Sequence, residues 1–584
     1  MRCSKWNGYL EGVHRIGRAL VFGITLPHVN ECGLVLYEKG TDMVIGEFLL
    51  DESFRLGEAF SCCVFGLKED TFEYTYVIGG KEIVDPFALR VRGNHRFGKR
   101  DPVFRGVFEK MTPLQPFSGP KMEDLFMYRL HVRGFTMGEG SGLRAEGGTF
   151  AGVVKKLRYL KGLGVNAIEL MPAYEFDEAT DASGARVRSL PVGKTNYWGY
   201  ATKAYYMAPK NSYSASEDVC AEFAMMVSAC HKQGIAVFME FTFDPVITQE
   251  RMLKILRHWR RMYAIDGFHV SDQRLPAGVL QADPVLSDCM MISSDLYDCM
   301  DDGERRMAYC NDHFAFVMRR AILGLADAKN NLQDLWYTYH STFLRMNYGT
   351  GFGGFTLWDL YSYDRKHNEE NGEGNLDGPS INHSYNCGLE GTSKSRAVNE
   401  LRMQMAKNLL TLTFLANGVP VLTAGDEMGH SAGGNNNPYN QDNETNWISW
   451  KPTSRSKELQ SFIKQLIEVK RRHPALSNGR FLTKRDVKVL GAPDFSVHGS
   501  EPWKRNTADQ VSGFLYYGPY FGDDTLLIAC NFEKEKAKMH LPELKEEGAW
   551  ITELSTTKEM VREVEQNVLE IPPRCVVVLN RISG

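Results

Sequence analysis

The hydrophobic pattern changes character twice along the chain and divides it into three regions. Residues 1–115 hold short apolar runs, among them ALVFGITL and YTYVIGG, which Gly, Asp and Pro separate. Short β-rich runs between turn signals are typical of a β-sandwich. The segment MTPLQPFSGP comes next, and its Pro and Gly residues indicate a boundary. We therefore expect an N-terminal β-sandwich domain.

Residues 120–480 alternate between strand and helix patterns. NAIELM and IAVFMEF have the apolar character of buried strands, whereas TFAGVVKKLRYLKGLG has the period of an amphipathic helix that ends at Gly164. Repeated strand–helix units over this length predict a (β/α)8 TIM barrel with loop insertions. A doubly wound sheet is the structural alternative, and it is disfavoured because no G-x-G-x-x-G follows the first strand.

Residues 485–584 return to β character in GFLYYG, TLLIACNF and RCVVVLN, which predicts a C-terminal β-sandwich. The sequence contains no internal repeat and no low-complexity segment. The predicted fold class is therefore α/β, with a (β/α)8 TIM barrel between N-terminal and C-terminal β-sandwich domains.

Composition and charge narrow the classes of function. Lysine and arginine total 68 against 72 acidic residues, so the formal net charge is -4. A protein that binds nucleic acid or an anionic membrane carries a basic excess, so neither partner is expected. The N-terminus has no signal-peptide pattern and no run of about 20 apolar residues occurs, which predicts a cytoplasmic location. The 12 cysteines lack a repeated C-x-x-C and the histidines lack H-E-x-x-H spacing, so no metal site is predicted.

Several long segments of the barrel region carry a family resemblance. They include GTFAGVVKKLRYLKGLGVNAIELMPAYEFDE (148–178), NYWGYATKAYYMAPKNSYS (196–214), FTLWDLYSYDRKHNEENGEGNLDG (355–378) and GVPVLTAGDEMG (418–429). In this order they resemble the debranching branch of glycoside hydrolase family 13, in the alpha-amylase superfamily, which comprises isoamylases, pullulanases and glycogen-debranching enzymes. The resemblance implies an N-terminal module similar to a starch-binding module, a catalytic barrel, and retaining hydrolysis of α-1,6 branch points in glycogen or starch.

That chemistry needs a nucleophilic carboxylate and a carboxylic acid about 5 Å apart. At the family's D-G-F-R-F-D motif this chain has Ser271 in place of the nucleophilic aspartate and His269 in place of the arginine. The position of the acid falls on Ser294. The third carboxylate of the family is replaced by Gly353, and the histidine before it by Phe352. No intact catalytic residue is therefore expected.

The family's D-V-V-x-N-H motif corresponds here to residues 240–245, EFTFDP, which lacks the asparagine and the histidine. These coordinated losses predict a pseudoenzyme that binds α-glucan or accompanies an active debranching enzyme. One alternative is an active α-1,6 glycosidase that uses the displaced carboxylates Asp272 and Asp295, with Glu240 or Asp244 as further candidates. A second alternative is a structural or regulatory scaffold that has lost sugar binding.

Aromatic and neighbouring residues at the family's sugar site are the candidate ligand contacts. Tyr197 and Trp198 are expected either to border a glucose ring or to pack their loop against the barrel. His269 and Phe352 occupy positions that line the sugar site in the family, and we expect them to contact substrate. The expected ligand is glycogen, amylopectin or a maltooligosaccharide. No cofactor is predicted, and binding of calcium by loop oxygens is left open.

Overall fold

A computed structural model of the chain describes residues 1–178, 190–191, 193–200, 204–293, 296, 306–325, 327–337, 343–479, 481–505, 507–559, 563–564 and 567–582. Ser294 and Asp295, two of the positions singled out by the sequence, lie outside these residues. The described ranges contain no helix with both the length and the apolar character needed to cross a bilayer.

The N-terminal region consists of two facing antiparallel sheets. One has the order β1-β7-β3-β2 with β6 beside β7, and the other has the order β10-β11-β8-β4-β5 with β9 beside β8. Apolar side chains from both sheets fill the space between them, and the edge of Tyr74 meets the ring of Phe22 at 5.5 Å. The strands are β1 (Arg2–Lys5), β2 (Gly12–Ile16), β3 (Ala19–Thr25), β4 (Cys32–Glu38), β5 (Val44–Leu50), β6 (Arg55–Leu56), β7 (Ala59–Phe65), β8 (Phe72–Ile78), β9 (Lys81–Ile83), β10 (Arg90–Arg92) and β11 (Arg105–Val107).

The central region is a closed barrel of eight parallel strands, in the order β12-β13-β16-β17-β18-β19-β20-β21. β14 and β15 pair with each other outside the barrel. The predicted (β/α)8 fold with flanking β-rich regions is confirmed. The strands are β12 (Met127–Leu130), β13 (Ala167–Leu170), β14 (Tyr174–Phe176), β15 (Ala204–Pro209), β16 (Ala236–Phe241), β17 (Gly267–Val270), β18 (Met290–Ile292), β19 (Met307–Cys310), β20 (Leu344–Asn347) and β21 (Val419–Thr423).

Helices surround the barrel, and their ends follow ordinary capping chemistry. They are α1 (Val132–Met137), α2 (Phe150–Leu163), α3 (Val219–Lys232), α4 (Gln249–Tyr263), α5 (Ala277–Ala282), α6 (Asp312–Ile322), α7 (Ala328–Leu335), α8 (Leu357–Leu360), α9 (Arg396–Leu415) and α10 (Ser454–Arg472). The predicted end of α2 is confirmed: Thr149 Oγ1 accepts from the Gly152 amide at 3.2 Å, and Gly164 stops the helix with φ 104°. Glycine suits that left-handed position because it has no Cβ.

The C-terminal region again forms two sheets, ordered β22-β23-β24-β29-β26 and β25-β28-β27. It packs on the barrel through Trp336, whose ring stacks on Phe514 at 3.9 Å and whose Nε1 donates to Tyr516 at 2.9 Å. His473, just after α10, contacts the carboxylates of Asp523 and Glu553. The strands are β22 (Phe495–His498), β23 (Val511–Tyr516), β24 (Thr525–Asn531), β25 (Ala537–His540), β26 (Ala549–Ser555), β27 (Glu563–Val564), β28 (Val568–Ile571) and β29 (Cys575–Ile582).

Two long polar loops brace each other beside the barrel. Asn368 donates to Asn436 at 2.9 Å, and Asn435 donates to Asn371 at 2.8 Å. Asn371 also donates to the carboxylate of Asp377 at 2.7 Å. Buried amide groups need hydrogen-bond partners, so these asparagines hold the loops together through their side chains.

Candidate functional site at the barrel mouth

A cavity of about 370 Å³ opens at the C-terminal ends of the barrel strands. Barrel enzymes carry their chemistry at this end because loops from several strands converge there. Polar and aromatic side chains from several strands and loops form part of its wall, among them Arg129, Glu169, His269, Cys310 and Phe352.

Arg129, at the end of β12, lies between two carboxylates of the next two strands. Its Nη2 donates to Glu240 Oε2 at 2.6 Å, and its Nε lies 3.2 Å from Glu169 Oε1. Tyr200 donates its hydroxyl proton to the other oxygen of Glu240 at 2.9 Å. Strand register explains the arrangement, because Arg129 is the direct partner of Glu169 across β12 and β13.

The same polar chain continues to a histidine and a cysteine. His269 Nδ1 lies 2.7 Å from Glu169 Oε1, and its Nε2 lies 3.4 Å from Cys310 Sγ. Glu240 is the register partner of His269 across β16 and β17. Strands β12, β13, β16, β17 and β19 thus place an arginine, two glutamates, a histidine and a cysteine in one continuous set of contacts.

Charge pairing shifts the titration of these buried groups. Burial raises the pKa of Glu169, but Arg129 and His269 outweigh it, and the pKa is held below its ordinary value. Burial lowers the pKa of His269, but Cys310 and Glu169 outweigh it, and the pKa is raised well above its ordinary value. Glu169 is therefore ionised near neutral pH and accepts a hydrogen bond from His269 Nδ1.

The position of the family nucleophile is open to solvent and carries no acid. Ser271 follows the end of β17 and is exposed. Asp272 turns to Arg274, and its Oδ2 lies 2.6 Å from the guanidinium. Burial raises the pKa of Asp272, but its hydrogen bonds and charge interaction with Arg274 outweigh this, so the pKa is lowered. Among the described residues, Asp272 is not part of the wall of the cavity.

No side chain occupies the position of the family's third carboxylate. Gly353 is exposed, and a Cβ added there meets no atom within 4 Å. Phe352, the residue before it, is half-buried in the wall of the cavity, with the guanidinium carbon of Arg129 at 5.7 Å from its ring centroid. An aromatic ring therefore stands where the family has a histidine.

The two aromatic residues predicted from the NYWGY segment have different surroundings. Tyr197 is fully buried and stacks on His131 at 4.1 Å. Trp198 is 5% exposed, and its ring lies 6.0 Å from Tyr200 and 6.5 Å from Phe352. Tyr200 is 38% exposed, and its hydroxyl is bound to Glu240. Sugar contact by Tyr197 and Trp198 stays a prediction, and Tyr200 joins Phe352 as an accessible ring.

The sequence alone did not single out Arg129, Glu169 or Cys310. Glu169 lies in NAIELM, within the matching segment 148–178, and Arg129 lies in YRLHV (128–132). Alternation along these two strands was the available signal. Cys310 lies on β19, a strand of four residues that the hydrophobic pattern does not indicate. Within the described ranges, no cluster of three or more His, Cys, Asp and Glu side chains has the arrangement of a metal site.

A larger cavity of about 770 Å³ lies on the side of the barrel, where the beginnings of α9 and α10 approach the C-terminal sheet. Its wall includes Trp358, Arg402 and Arg455. No described residue of its wall lies on a strand of the barrel, so we assign the candidate site to the smaller cavity, which strand residues line.

Comparison with known proteins agrees with this architecture. Residues 129–253 match the family model described as Alpha amylase, catalytic domain. The chain is 28% identical to Isoamylase 3, chloroplastic, of Oryza sativa subsp. japonica, covering 83% of this chain and 75% of that protein. It is 32% identical to the Glycogen debranching enzyme of Erwinia tasmaniensis, covering 62% of this chain and 64% of that one. The crystal structure of a pullulanase from Anoxybacillus sp. LM18-11 with maltotetraose superposes with a TM-score of 0.71 at 20% identity, covering 99% of this chain and 88% of that one.

The barrel therefore has the fold of the pullulanase structure, and part of it matches the alpha-amylase catalytic domain. Within glycoside hydrolase family 13, the comparisons support similarity to the debranching branch, with an isoamylase and a glycogen debranching enzyme among the relatives and a pullulanase among the structural neighbours.

Proposed function

We propose that this chain binds α-glucan and does not hydrolyse α-1,6 bonds by the mechanism of its family. One observation carries this proposal: the mouth carboxylates Glu169 and Glu240 are both paired with Arg129. Retaining hydrolysis needs a protonated acid and a free nucleophilic carboxylate about 5 Å apart. Glu169 is ionised and hydrogen-bonded, so it has no proton for a leaving oxygen and is not free to attack a sugar carbon.

The loss of the family's charged groups removes most of the stabilisation of the transition state for cleavage. Ser271 is a poor nucleophile without an adjacent base, and Gly353 supplies no side chain to stabilise positive charge in the transition state. Removing members of a catalytic set that acts as a unit lowers kcat by about 10⁴- to 10⁶-fold. We therefore expect no hydrolysis above the background rate.

Glucan binding does not need the lost acids, because sugar rings stack on aromatic faces. Tyr200, Trp198 and Phe352 stand together at the mouth, and two of these rings reach the surface. The name of one relative refers to glycogen debranching, and the structural neighbour was solved with maltotetraose. These observations support glycogen, amylopectin or a maltooligosaccharide as the ligand of this chain.

An active debranching enzyme is the second partner that we propose, and the cytoplasm is the proposed location. The loss of several catalytic residues at once supports this partnership. It resembles the loss in a catalytically inactive isoamylase isoform that assembles with an active one. Mixing the purified chain with an active isoamylase and measuring the mass of the complex in solution tests this. Two independent species at every ratio would contradict the partnership.

The alternative of an active hydrolase with displaced carboxylates has less support. Both carboxylate oxygens of Asp272 accept hydrogen bonds from Arg274. Arg274 also donates to backbone carbonyls, including that of Pro245. This ion pair braces a loop, and neither of its residues is part of the cavity wall. Asp295 lies outside the described residues, so substitution is the way to assess it.

One set of assays on the purified full-length chain distinguishes the three functions. Reducing ends released from pullulan and amylopectin are measured beside glycogen affinity, with an active isoamylase as the control for sensitivity. We expect affinity without release. Release that disappears in Asp272→Asn or Asp295→Asn would establish a rearranged hydrolase instead. Absence of both affinity and release would leave only the scaffold.

A further inference from the structure

We propose that Cys310, His269 and Glu169 form an activated thiol centre in the barrel mouth, with Cys310 as a nucleophile toward small acyl esters. This activity is separate from glucan binding and does not depend on it. A nucleophilic thiol site of this kind has three parts: the thiol, a base within reach of it, and a third group that orients the base.

The three side chains stand in that order on three strands. Cys310 Sγ on β19 lies 3.4 Å from His269 Nε2 on β17, and His269 Nδ1 lies 2.7 Å from Glu169 Oε1 on β13. An ionised carboxylate only accepts hydrogen bonds, so Nδ1 carries the proton that points to Glu169. Nε2 faces the thiol at 3.4 Å, where it accepts the thiol proton when the ring is neutral and donates to the thiolate when both ring nitrogens carry protons. The carboxylate therefore orients the ring so that Nε2 exchanges a proton with Cys310.

Access distinguishes Cys310 from most other thiols of the chain. Cys310 and Cys3 are the two cysteines among the described residues that are not buried. Cys310 lines the cavity of about 370 Å³, whereas Cys3 lies on β1 in the N-terminal region. A cavity near the lower end of the usual range for ligand sites, roughly 300–1,000 Å³, admits small acyl groups.

Charged and hydrogen-bonded groups flank the centre on two sides. Arg129 contacts Glu169 and Glu240, so it offsets negative charge on the side of β12 and β16. On the other side, Tyr348, the residue after β20, donates its hydroxyl proton to Asp312. Asp312 is also the first residue of α6, so Cys310 comes two residues before that helix in the chain.

The reaction proceeds in two balanced halves. The thiol proton of Cys310 passes to His269 Nε2, the sulfur attacks the carbonyl carbon of an ester and a C–S bond forms. The C–O bond to the alcohol then breaks, and the proton on His269 Nε2 passes to the leaving oxygen. Water then attacks the thioester carbon while His269 takes one of its protons. The C–S bond breaks, the carboxylic acid leaves, and the thiol and imidazole return to their first state.

The probe is p-nitrophenyl acetate, with the full-length protein and peptide mass spectrometry to locate each acetyl group. We expect rapid acetylation of Cys310 together with release of p-nitrophenolate near neutral pH. Cys310→Ser should abolish the rapid release. His269→Gln should slow acetylation of Cys310 by about 10²-fold or more, since that is the usual contribution of a general base. Glu169→Gln should slow it less and displace the pH profile, as expected of a positioning residue.

Cys3 serves as an internal reference in every sample. If His269→Gln slows the acetylation of Cys310 and Cys3 equally, the variant has lost its fold. The pH profile of acetylation in the wild-type protein then tests the proposal. A wild-type Cys310 that reacts no faster than Cys3, with a rate that follows the titration of a free thiol near pH ~8.5, would overturn the proposal without any variant. Rapid alkylation of Cys310 by iodoacetamide without acetylation by the ester would overturn the substrate class.

Discussion

The guanidinium of Arg129 contacts Glu240 Oε2 at 2.6 Å, and through its Nε it also lies 3.2 Å from Glu169, so that one cation serves two buried carboxylates. Burial lowers the pKa of Arg129, but Glu240 and Glu169 outweigh it and the pKa is raised, which keeps the cation charged. Removing one partner of a buried ion pair leaves an uncompensated charge, which costs more than the pair itself contributes.

Arg129→Gln is therefore expected to lower the free energy of unfolding by about 3–5 kcal/mol, measured by urea denaturation. The double variant Arg129→Gln/Glu240→Gln should recover part of the loss, because one uncompensated carboxylate is gone. The matched control is Arg133→Gln, which breaks a less buried pair with Asp442. Equal decreases in the free energy of unfolding for Arg129→Gln and Arg133→Gln would show that the ion pairs at the mouth stabilise the fold no more than the Arg133 pair does.

Asp272→Asn is expected to leave the rate of pullulan hydrolysis at its background value, since the carboxylate is bound to Arg274. The variant should lower the thermal midpoint slightly, because the loop loses a charged contact. The pKa of Asp272 is lowered in the folded state, so its contribution to stability is present above the unfolded pKa and is lost as pH falls through the folded pKa. The difference in midpoint between wild type and variant should therefore shrink in acid. A change in hydrolysis would contradict the pseudoenzyme.

Phe352→Ala and Tyr200→Ala are expected to weaken glycogen binding by about 1–2 kcal/mol each, or roughly 5- to 30-fold in Kd. Both rings are accessible at the mouth and neither acts as an acid or base there. Affinity electrophoresis in glycogen-containing gels measures the change. Trp503→Ala is the control, because Trp503 is 46% exposed on the C-terminal region. Loss of affinity in the control alone would move the glucan site away from the barrel.

His473 is expected to make the contact between the barrel and the C-terminal region sensitive to alkaline pH. Burial lowers its pKa, but hydrogen bonds to Asp523 and Glu553 outweigh this and raise it to about 9 from the ordinary 6.5. Stabilisation by the charged ring is complete below pH 6.5 and is lost as pH rises through 9. His473→Gln should therefore cost about 1.5–3 kcal/mol at pH 6, and this cost should fall by pH 10.

Thermal melting of wild type and His473→Gln between pH 6 and pH 10 measures this dependence. His540→Gln is the matched control, because His540 is 52% exposed and lies 3.9 Å from Glu501. A cost of His473→Gln that stays constant over the whole range would mean that the ring is neutral in the folded protein.

The architecture was largely predictable, because long apolar runs and glycine stops such as Gly164 record local structure directly. β19 escaped prediction because MAYC is short and has no alternation of polar and apolar residues. The loss of the acids at Ser271 and Gly353 could also be predicted, because matching the family motifs to the sequence was enough to show it. The new contacts could not be predicted, because Glu169, His269 and Cys310 are far apart in sequence. They lie on β13, β17 and β19, which are not adjacent in the sheet, and only the closed barrel brings their side chains together.

The chain of contacts from Tyr200 to Cys310 also predicts how readily the ends of the barrel strands open locally. An active cleft keeps polar groups unpaired for its substrate, and this costs stability. Here Glu169 and Glu240 each have a cationic partner, so the ends of β12, β13 and β16 are tied together from side chain to side chain. We expect the backbone amides at these ends to exchange with deuterium only when the whole barrel opens, among the slowest in the molecule.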